Sequence, residues 1–352
     1  MKNIEKFRNN KTHWLDIWTK DFIGLSPEQP LTREAIEQDQ VNKLNRLFSY
    51  VRENSPFYRD LYRDLPEDLR FSSVKDIEKL PFTSPEDLVE HETDMLCVNP
   101  KEISRIVTLQ TSGTTGVPKH VSFTEEDQQL TIDHFRYGMQ YLVDKDGKVL
   151  VLLPHERPGS VGTLLAEAVR LLGADATFDP LDTGITCMVG LPTFIAKMAE
   201  ASLTQPRSDG KEGTRAEELR ETMIAVLLTA EYVSRENAEF ISRTWDCMPF
   251  EHYGMTETGL GAAVTCNMLD GFHIREHGLL FEIIDPETGR VLPDGQYGEV
   301  VVTTLNRKGM PFIRYRTGDI ASILNRPCRC GSVSRCLTRV GDRKLKKGKE
   351  AR

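Results

Sequence analysis

The spacing of apolar residues changes along the chain. An early helical stretch starts at Thr32 and reaches about Asn54, with Ile36, Val41, Leu44, Leu47, Phe48 and Val51 near one face. Ser55-Pro56-Phe57-Tyr58 ends it. Trp14 and Trp18, four residues apart, mark the docking face of an earlier helix. Leu80-Pro81-Phe82-Thr83-Ser84-Pro85 reads as extended, because a residue before proline is pushed out of the α region.

Short apolar runs then alternate with helical stretches. Residues 149–153 form a buried-strand run, and residues 163–172 form a helix that Gly173 stops. Met188 and Val189 read as a strand end before Pro192 opens a helix, and residues 223–228 read as a second buried strand. This alternation predicts an α/β layer with a largely parallel sheet. Residues 205–218 are polar and carry Pro206, Gly210 and Gly213, so they read as a surface loop. Beyond residue 270, the runs 279–284 and 298–305, with a Pro286-Glu287-Thr288-Gly289 turn between them, predict antiparallel strands. The tail from Lys344 to Arg352 reads as a frayed, solvated terminus.

Composition narrows the class of protein. The 352 residues are 39% hydrophobic and 28% charged, which fits a soluble chain with ample core, built as one large domain or two to three lobes. A net charge of −8 argues against a nucleic-acid or anionic-membrane surface. No run approaches the roughly 20 apolar residues of a membrane span. The N-terminus has no signal-peptide core, so a cytoplasmic location is expected. Seven cysteines, an odd number in such a chain, point to reduced thiols or metal ligands.

The chemistry concentrates in four segments. Thr108-Leu-Gln-Thr-Ser-Gly-Thr-Thr-Gly-Val-Pro-Lys119 packs hydroxyls, two glycines and a lysine into one loop. Glycine lets backbone N–H groups face a guest, and a row of such groups makes an anion site. The spacing is not that of a Walker A loop; an ordinary hydrophilic turn is the competing reading. Thr229-Ala230-Glu231-Tyr232 follows an apolar strand, where α/β sheets open a ligand crevice. His252-Tyr253-Gly254-Met255-Thr256-Glu257 offers a ring, a hydroxyl and a carboxylate, suited to a base, a phosphate and Mg²⁺, or else to a polar helix start. Tyr315-Arg316-Thr317-Gly318-Asp319 places a carboxylate after a tight turn, able to take both ribose hydroxyls or to pair with an arginine.

In this order the segments resemble the motifs of the adenylate-forming (acyl-CoA synthetase and ligase) superfamily, closest to its phenylacetate–CoA ligase branch. Pro56-Phe57-Tyr58, Leu80-Pro81-Phe82-Thr83, Gly271-Phe272-His273-Ile274 and Pro311-Phe312-Ile313-Arg314-Tyr315 look like that branch too. The resemblance runs over roughly residues 30 to 343. It implies an α/β fold, the N-terminal domain of an adenylate-forming enzyme with parallel α/β subdomains plus a small antiparallel β lobe. The divisions expected are a helical segment (1–75), an adenylation core (76–260), the antiparallel lobe (261–338) and a hinge remnant with basic tail (339–352). The resemblance implies that Thr111, Ser112, Gly113, Thr114, Thr115, Gly116 and Lys119 cradle the β- and γ-phosphates of ATP. Ala230, Glu231, His252, Tyr253 and Gly254 would line the adenine. Thr256 would touch the α-phosphate, Glu257 would bind Mg²⁺ and Asp319 would hold the ribose. Arg339 or Arg343 would be the hinge-side arginine. The activity implied is ATP-dependent activation of a carboxylic acid, aryl or acyl, to an acyl-adenylate, followed by transfer to a thiol, most often coenzyme A. A homodimer is implied only by relatives.

Cys266 and His273, followed by Cys328 and Cys330, bring two short chelating pairs of soft ligands. They fit a closed Cys₃His zinc site, which relatives also resemble; scattered free cysteines are the competing reading. Cys97, Cys187 and Cys247 read as buried apolar residues. Full-length relatives carry a mobile C-terminal lobe that this chain is expected to lack, since nine residues follow Arg343. Three readings therefore stand: a compact acyl-activating enzyme, a truncated product, or a nucleotide-binding relative without turnover.

Overall fold

The computed structural model describes residues 12–26, 28–109 and 118–341. Thr32 caps the helix Arg33–Asn54, its hydroxyl accepting from Ala35 N at 3.2 Å, and the predicted apolar face is buried. Ser55 ends this helix and caps the next, Pro56–Leu61, by accepting from Tyr58 N. Tyr58 is then anchored: its hydroxyl donates to Pro311 O at 3.0 Å and accepts from Ile313 N at 3.2 Å. The helix Trp14–Phe22 buries Leu15 and Trp18, and the Trp18 ring stacks on Tyr137 at 5.0 Å. Its Asp16 carboxylate accepts from Ser332 Oγ and Ser334 Oγ, each at 2.7 Å.

Strands β1 (Ile103–Leu109) and β2 (Lys119–Thr124) form an antiparallel pair that closes with Leu109 opposite Lys119. The helix Glu125–Met139 follows, opened by a reciprocal cap between Thr124 and Asp127. Next come β3 (Lys148–Leu152), β4 (Asp175–Thr177), β5 (Cys187–Gly190), β6 (Ala225–Leu228) and β7 (Met248–Tyr253), all parallel, with helices in every connection but that from β4 to β5. Burial of four successive residues in β5 and in β6 explains why these strands read as continuous apolar runs. Beyond β7 the sheet turns antiparallel through β8 (Ala263–Thr265) and β9 (Phe272–Ile274).

Strands β10 (Leu279–Ile284), β11 (Gly298–Thr304) and β12 (Tyr315–Ala321) form a separate antiparallel sheet, and β13 (Cys336–Leu337) returns to pair with β9. The strands after residue 260 are therefore divided between two sheets. The predicted α/β layer with a smaller antiparallel sheet is what the molecule adopts.

One expectation needs correction. Residues 205–218 are not loop throughout, because the helix Arg215–Thr222 begins inside them. Thr214 and Glu217 form a reciprocal cap, and Ala216 and Leu219 are buried among otherwise polar neighbours. Among the described residues, no helix is long and apolar enough to cross a membrane.

Candidate active site

The carboxyl ends of β6 and β7 lie side by side, and both chains leave the sheet there. This edge of a parallel sheet is where a crevice opens. Thr229 and Ala230 follow β6, with Ala230 in the left-handed region at φ 67°. Gly254 follows β7; a Cβ there would lie 2.7 Å from Leu260 O, so only glycine fits. Ala230, Glu231, Tyr232, His252, Tyr253 and Gly254 wall one side of a cleft with about 910 Å³ of empty space. Asp319, Arg339, Val340 and Gly341 wall the other.

Two polar clusters stand in this region. In the first, Tyr253 donates its hydroxyl to Asp319 Oδ2 at 2.9 Å. Beside it Arg339 pairs with Glu251. Burial raises the Glu251 carboxyl above its ordinary pKa, and the Arg339 charge works against that rise. In the second, Lys119 Nζ and Tyr315 Oη both donate to Glu257 Oε1, each at 2.9 Å. Glu257 is almost wholly buried, and Lys119 is partly exposed. Arg307 Nη1 donates to Glu257 O at 2.9 Å and Arg275 Nη2 to Thr258 O at 2.9 Å, which fixes the Thr256–Thr258 turn from below.

A second, apolar cavity with about 450 Å³ of empty space lies behind the cleft. Phe135, Gly138 and Met139 come from one helix, Leu165 from another, and Val189 and Leu227 from adjacent parallel strands. His134 and His252 are its polar edges. His252 lines both spaces, with Nδ1 2.9 Å from Thr229 Oγ1. Burial, together with the Arg275 charge, pushes His252 down to about 4, so its ring is neutral at ordinary pH.

At the far edge of the sheet Cys266, His273, Cys328 and Cys330 converge, their ligand atoms all within 4.8 Å of one another. Cys266 Sγ lies 3.7 Å from Cys328 Sγ, and Cys330 Sγ lies 3.5 Å from His273 Nε2. A tetrahedral zinc with bonds of about 2.3 Å to sulfur and about 2.0 Å to nitrogen places its ligands about 3.5–3.8 Å apart. The four residues fit that ion. Cys97, Cys187 and Cys247 are buried away from it.

The sequence-predicted residues thus fall into groups. Ala230, Glu231, His252, Tyr253, Gly254, Asp319 and Arg339 share the cleft. Lys119 and Glu257 touch each other, and Thr256 is the buried residue before Glu257. Thr111, Ser112, Gly113, Thr114, Thr115, Gly116 and Arg343 lie outside the described residues. Tyr315 opens the Tyr315–Asp319 motif, but nothing in its spacing points its hydroxyl at Glu257. Arg275 and Arg307 gave no motif signal.

Comparison with known proteins agrees with this architecture. The family model described as AMP-binding enzyme matches residues 60–306. The chain is 30% identical over 317 residues to a phenylacetate-coenzyme A ligase of Thermus thermophilus, covering 86% of this chain and 69% of that one. It is 30% identical over 314 residues to the Pseudomonas putida protein of the same name, covering 85% and 69%. The crystal structure of a 2-hydroxyisobutyryl-CoA ligase in the postadenylation state superposes with a TM-score of 0.74 at 20% identity, covering 90% of this chain and 71% of that one, a likeness of fold. The chain belongs to the AMP-binding enzyme family.

Proposed function

We propose that this protein is an AMP-forming acid–thiol ligase that activates a compact carboxylic acid with ATP and passes the acyl group to coenzyme A. The observation that carries the reading is the junction at His252, where the cleft that holds Tyr253, Asp319 and Arg339 meets an apolar cavity. The apolar cavity is narrow, hemmed in by Phe135, Met139, Leu165, Val189 and Leu227, and suits a short or aryl acid better than a long chain.

The cleft residues then take these roles. Asp319 accepts hydrogen bonds from the ribose hydroxyls, and Tyr253 orients its carboxylate. Ala230, Glu231 and Gly254 border the base, with His252 and Tyr253 at its side. The segment Thr111–Gly116 and Lys119 meet the β- and γ-phosphates, and Thr256 meets the α-phosphate. Arg339, paired with Glu251 at the cleft, serves as the hinge-side arginine in preference to Arg343. Glu257 would hold Mg²⁺, which neutralises phosphate charge when bound.

An acid oxygen attacks the α-phosphorus, an O–P bond forms, and the bond to the β-phosphate oxygen breaks to release pyrophosphate. The thiolate sulfur then attacks the acyl carbon, and the bond to AMP breaks. Two anions meet in the first step, so donors fixed in advance where charge collects matter most. Lys119 is such a donor, held at its post by Glu257 and Tyr315.

Isotope exchange between pyrophosphate and ATP that depends on the added acid tests the reading. AMP and a CoA thioester are the expected products; ADP, or no exchange with any acid of a broad aryl and acyl panel, would overturn it.

The Cys266, His273, Cys328 and Cys330 cluster is proposed as a structural zinc site that staples the segment after β12 to β8 and β9. Metal analysis of the purified protein should find about one zinc per chain. Cys328→Ser should lower the melting temperature by several degrees while leaving the nucleotide cleft intact.

A further inference from the structure

A third cavity, with about 330 Å³ of empty space, lies under the Thr256–Thr258 turn, and two guanidinium groups face it. Arg275 and Arg307 are each only 7% exposed. Some of their N–H groups are committed: Arg275 Nη2 to Thr258 O, Arg307 Nη1 to Glu257 O, and Arg307 Nη2 to Ser122 O at 2.9 Å. The Nε of each is buried with no hydrogen-bond partner among the described residues. The Arg307 guanidinium also lies 4.2 Å from the centre of the Phe123 ring, an apolar wall of the same space.

The charges in this lining do not balance. Against two cations stands one carboxylate, Asp127. Its oxygens already accept from three backbone N–H groups, Thr124 at 3.0 Å, Lys308 at 2.8 Å and Gly309 at 3.0 Å. Glu257, the next acid beyond Arg307, is taken by Lys119. The titratable groups that act on or feel Arg275 are His134, His252, His277 and Arg307, neutral rings and a second cation. One net positive charge is therefore left among these buried side chains. A buried charge is tolerated when it is paired and hydrogen-bonded, and costly otherwise. A neutral water could satisfy the two Nε–H groups but not the charge.

We infer that this cavity is a binding site for one small monovalent anion of the halide type, held between Arg275 and Arg307. A single negative charge brings the lining to neutrality. A dianionic phosphate or sulfate would reverse its sign and set oxygens against the Asp127 carboxylate and the Phe123 ring. Because the same two arginines hold the carbonyls of residues 257 and 258, the anion also stiffens the turn that carries Glu257. The site needs neither ATP nor acid to form.

Crystals of the full chain soaked in sodium bromide test the inference through the anomalous signal of bromine. A peak between the two guanidinium groups is expected; an empty or water-filled cavity overturns the proposal. In solution, the melting temperature should rise saturably with sodium chloride and not with sodium gluconate at matched ionic strength. Identical curves in the two salts would overturn it. Arg275→Met should abolish the chloride-specific rise, and a rise of wild-type size in that variant would count against the site. Should Arg275→Met fail to fold, the bromide map and the paired salt titration on the unaltered protein decide the matter without it.

Discussion

The nucleotide cleft and the apolar cavity share the His252 ring but are built by opposite means. The cleft gathers residues at the end of β7, in β12 and just beyond β6 and β7, and some sit where backbone geometry is special: Ala230 at positive φ and Gly254 where no side chain fits. Such demands leave marks in sequence, because few residue types satisfy them. The cavity is made mostly of residues within regular elements, Phe135 and Gly138 on a helix, Val189 and Leu227 on strands. Each looks like any core residue. A site that demands special backbone geometry announces its chemistry, while a site lined by ordinary core residues defines its ligand only once the chain is folded.

Disabling one side and leaving the other intact tests this division. The largest effect is expected from Glu257→Gln, which removes the charge that positions Lys119. Acid-dependent pyrophosphate exchange should fall on the order of 10²- to 10³-fold, the scale seen when a charge-stabilising group is lost. A fall of less than tenfold would remove Glu257 from the chemistry. Asp319→Ala should come next. It deletes a charge-assisted hydrogen bond worth about 1.5–3 kcal/mol, so KM for ATP should rise roughly 10- to 100-fold with KM for the acid little changed. Steady-state kinetics with each substrate varied in turn would show it.

Gly138→Leu probes the cavity alone. The nearest atom to an added Cβ is Val264 Cγ1 at 4.0 Å, so the new side chain can grow into the space without a backbone clash. KM for the acid should rise about tenfold or more, with ATP affinity in the absence of acid unchanged. Equal effects on both substrates would mean that the two spaces are not separate.

The smallest expected effect is a pH dependence of stability. His134 and His277 are buried, and burial drives both well below the ordinary imidazole pKa, aided by the Arg275 charge. The unfolded chain therefore binds protons that the folded chain refuses as pH falls below about 6.5. Stability should decline from pH 7.5 to pH 5, read as a falling urea midpoint. His134→Phe should make that decline shallower, and an unchanged slope would show that His134 stays neutral for no thermodynamic cost.

Much of the fold could be read because local signals agreed with it. Thr32 caps the helix where the apolar period begins, and the runs that became β5 and β6 are buried at every position. The helix Arg215–Thr222 was missed because Ala216 and Leu219 are too few to reveal a period among charged neighbours. The order of motifs singled out Lys119, Tyr253, Glu257 and Asp319, which the fold brings into two contacting pairs. It could not show that Tyr315 reaches Glu257, since β12 belongs to the other sheet and their approach spans 58 positions. Arg275 and Arg307 were invisible for a related reason: an arginine in a polar stretch reads as surface until packing encloses it.

The His252 ring, seated between the two spaces and tied to Thr229, is a shared partition. A partition displaced by an occupant on one face presents a different surface to the other. Linkage then requires reciprocity: whatever factor a bound acid imposes on ATP affinity, ATP must impose on the acid.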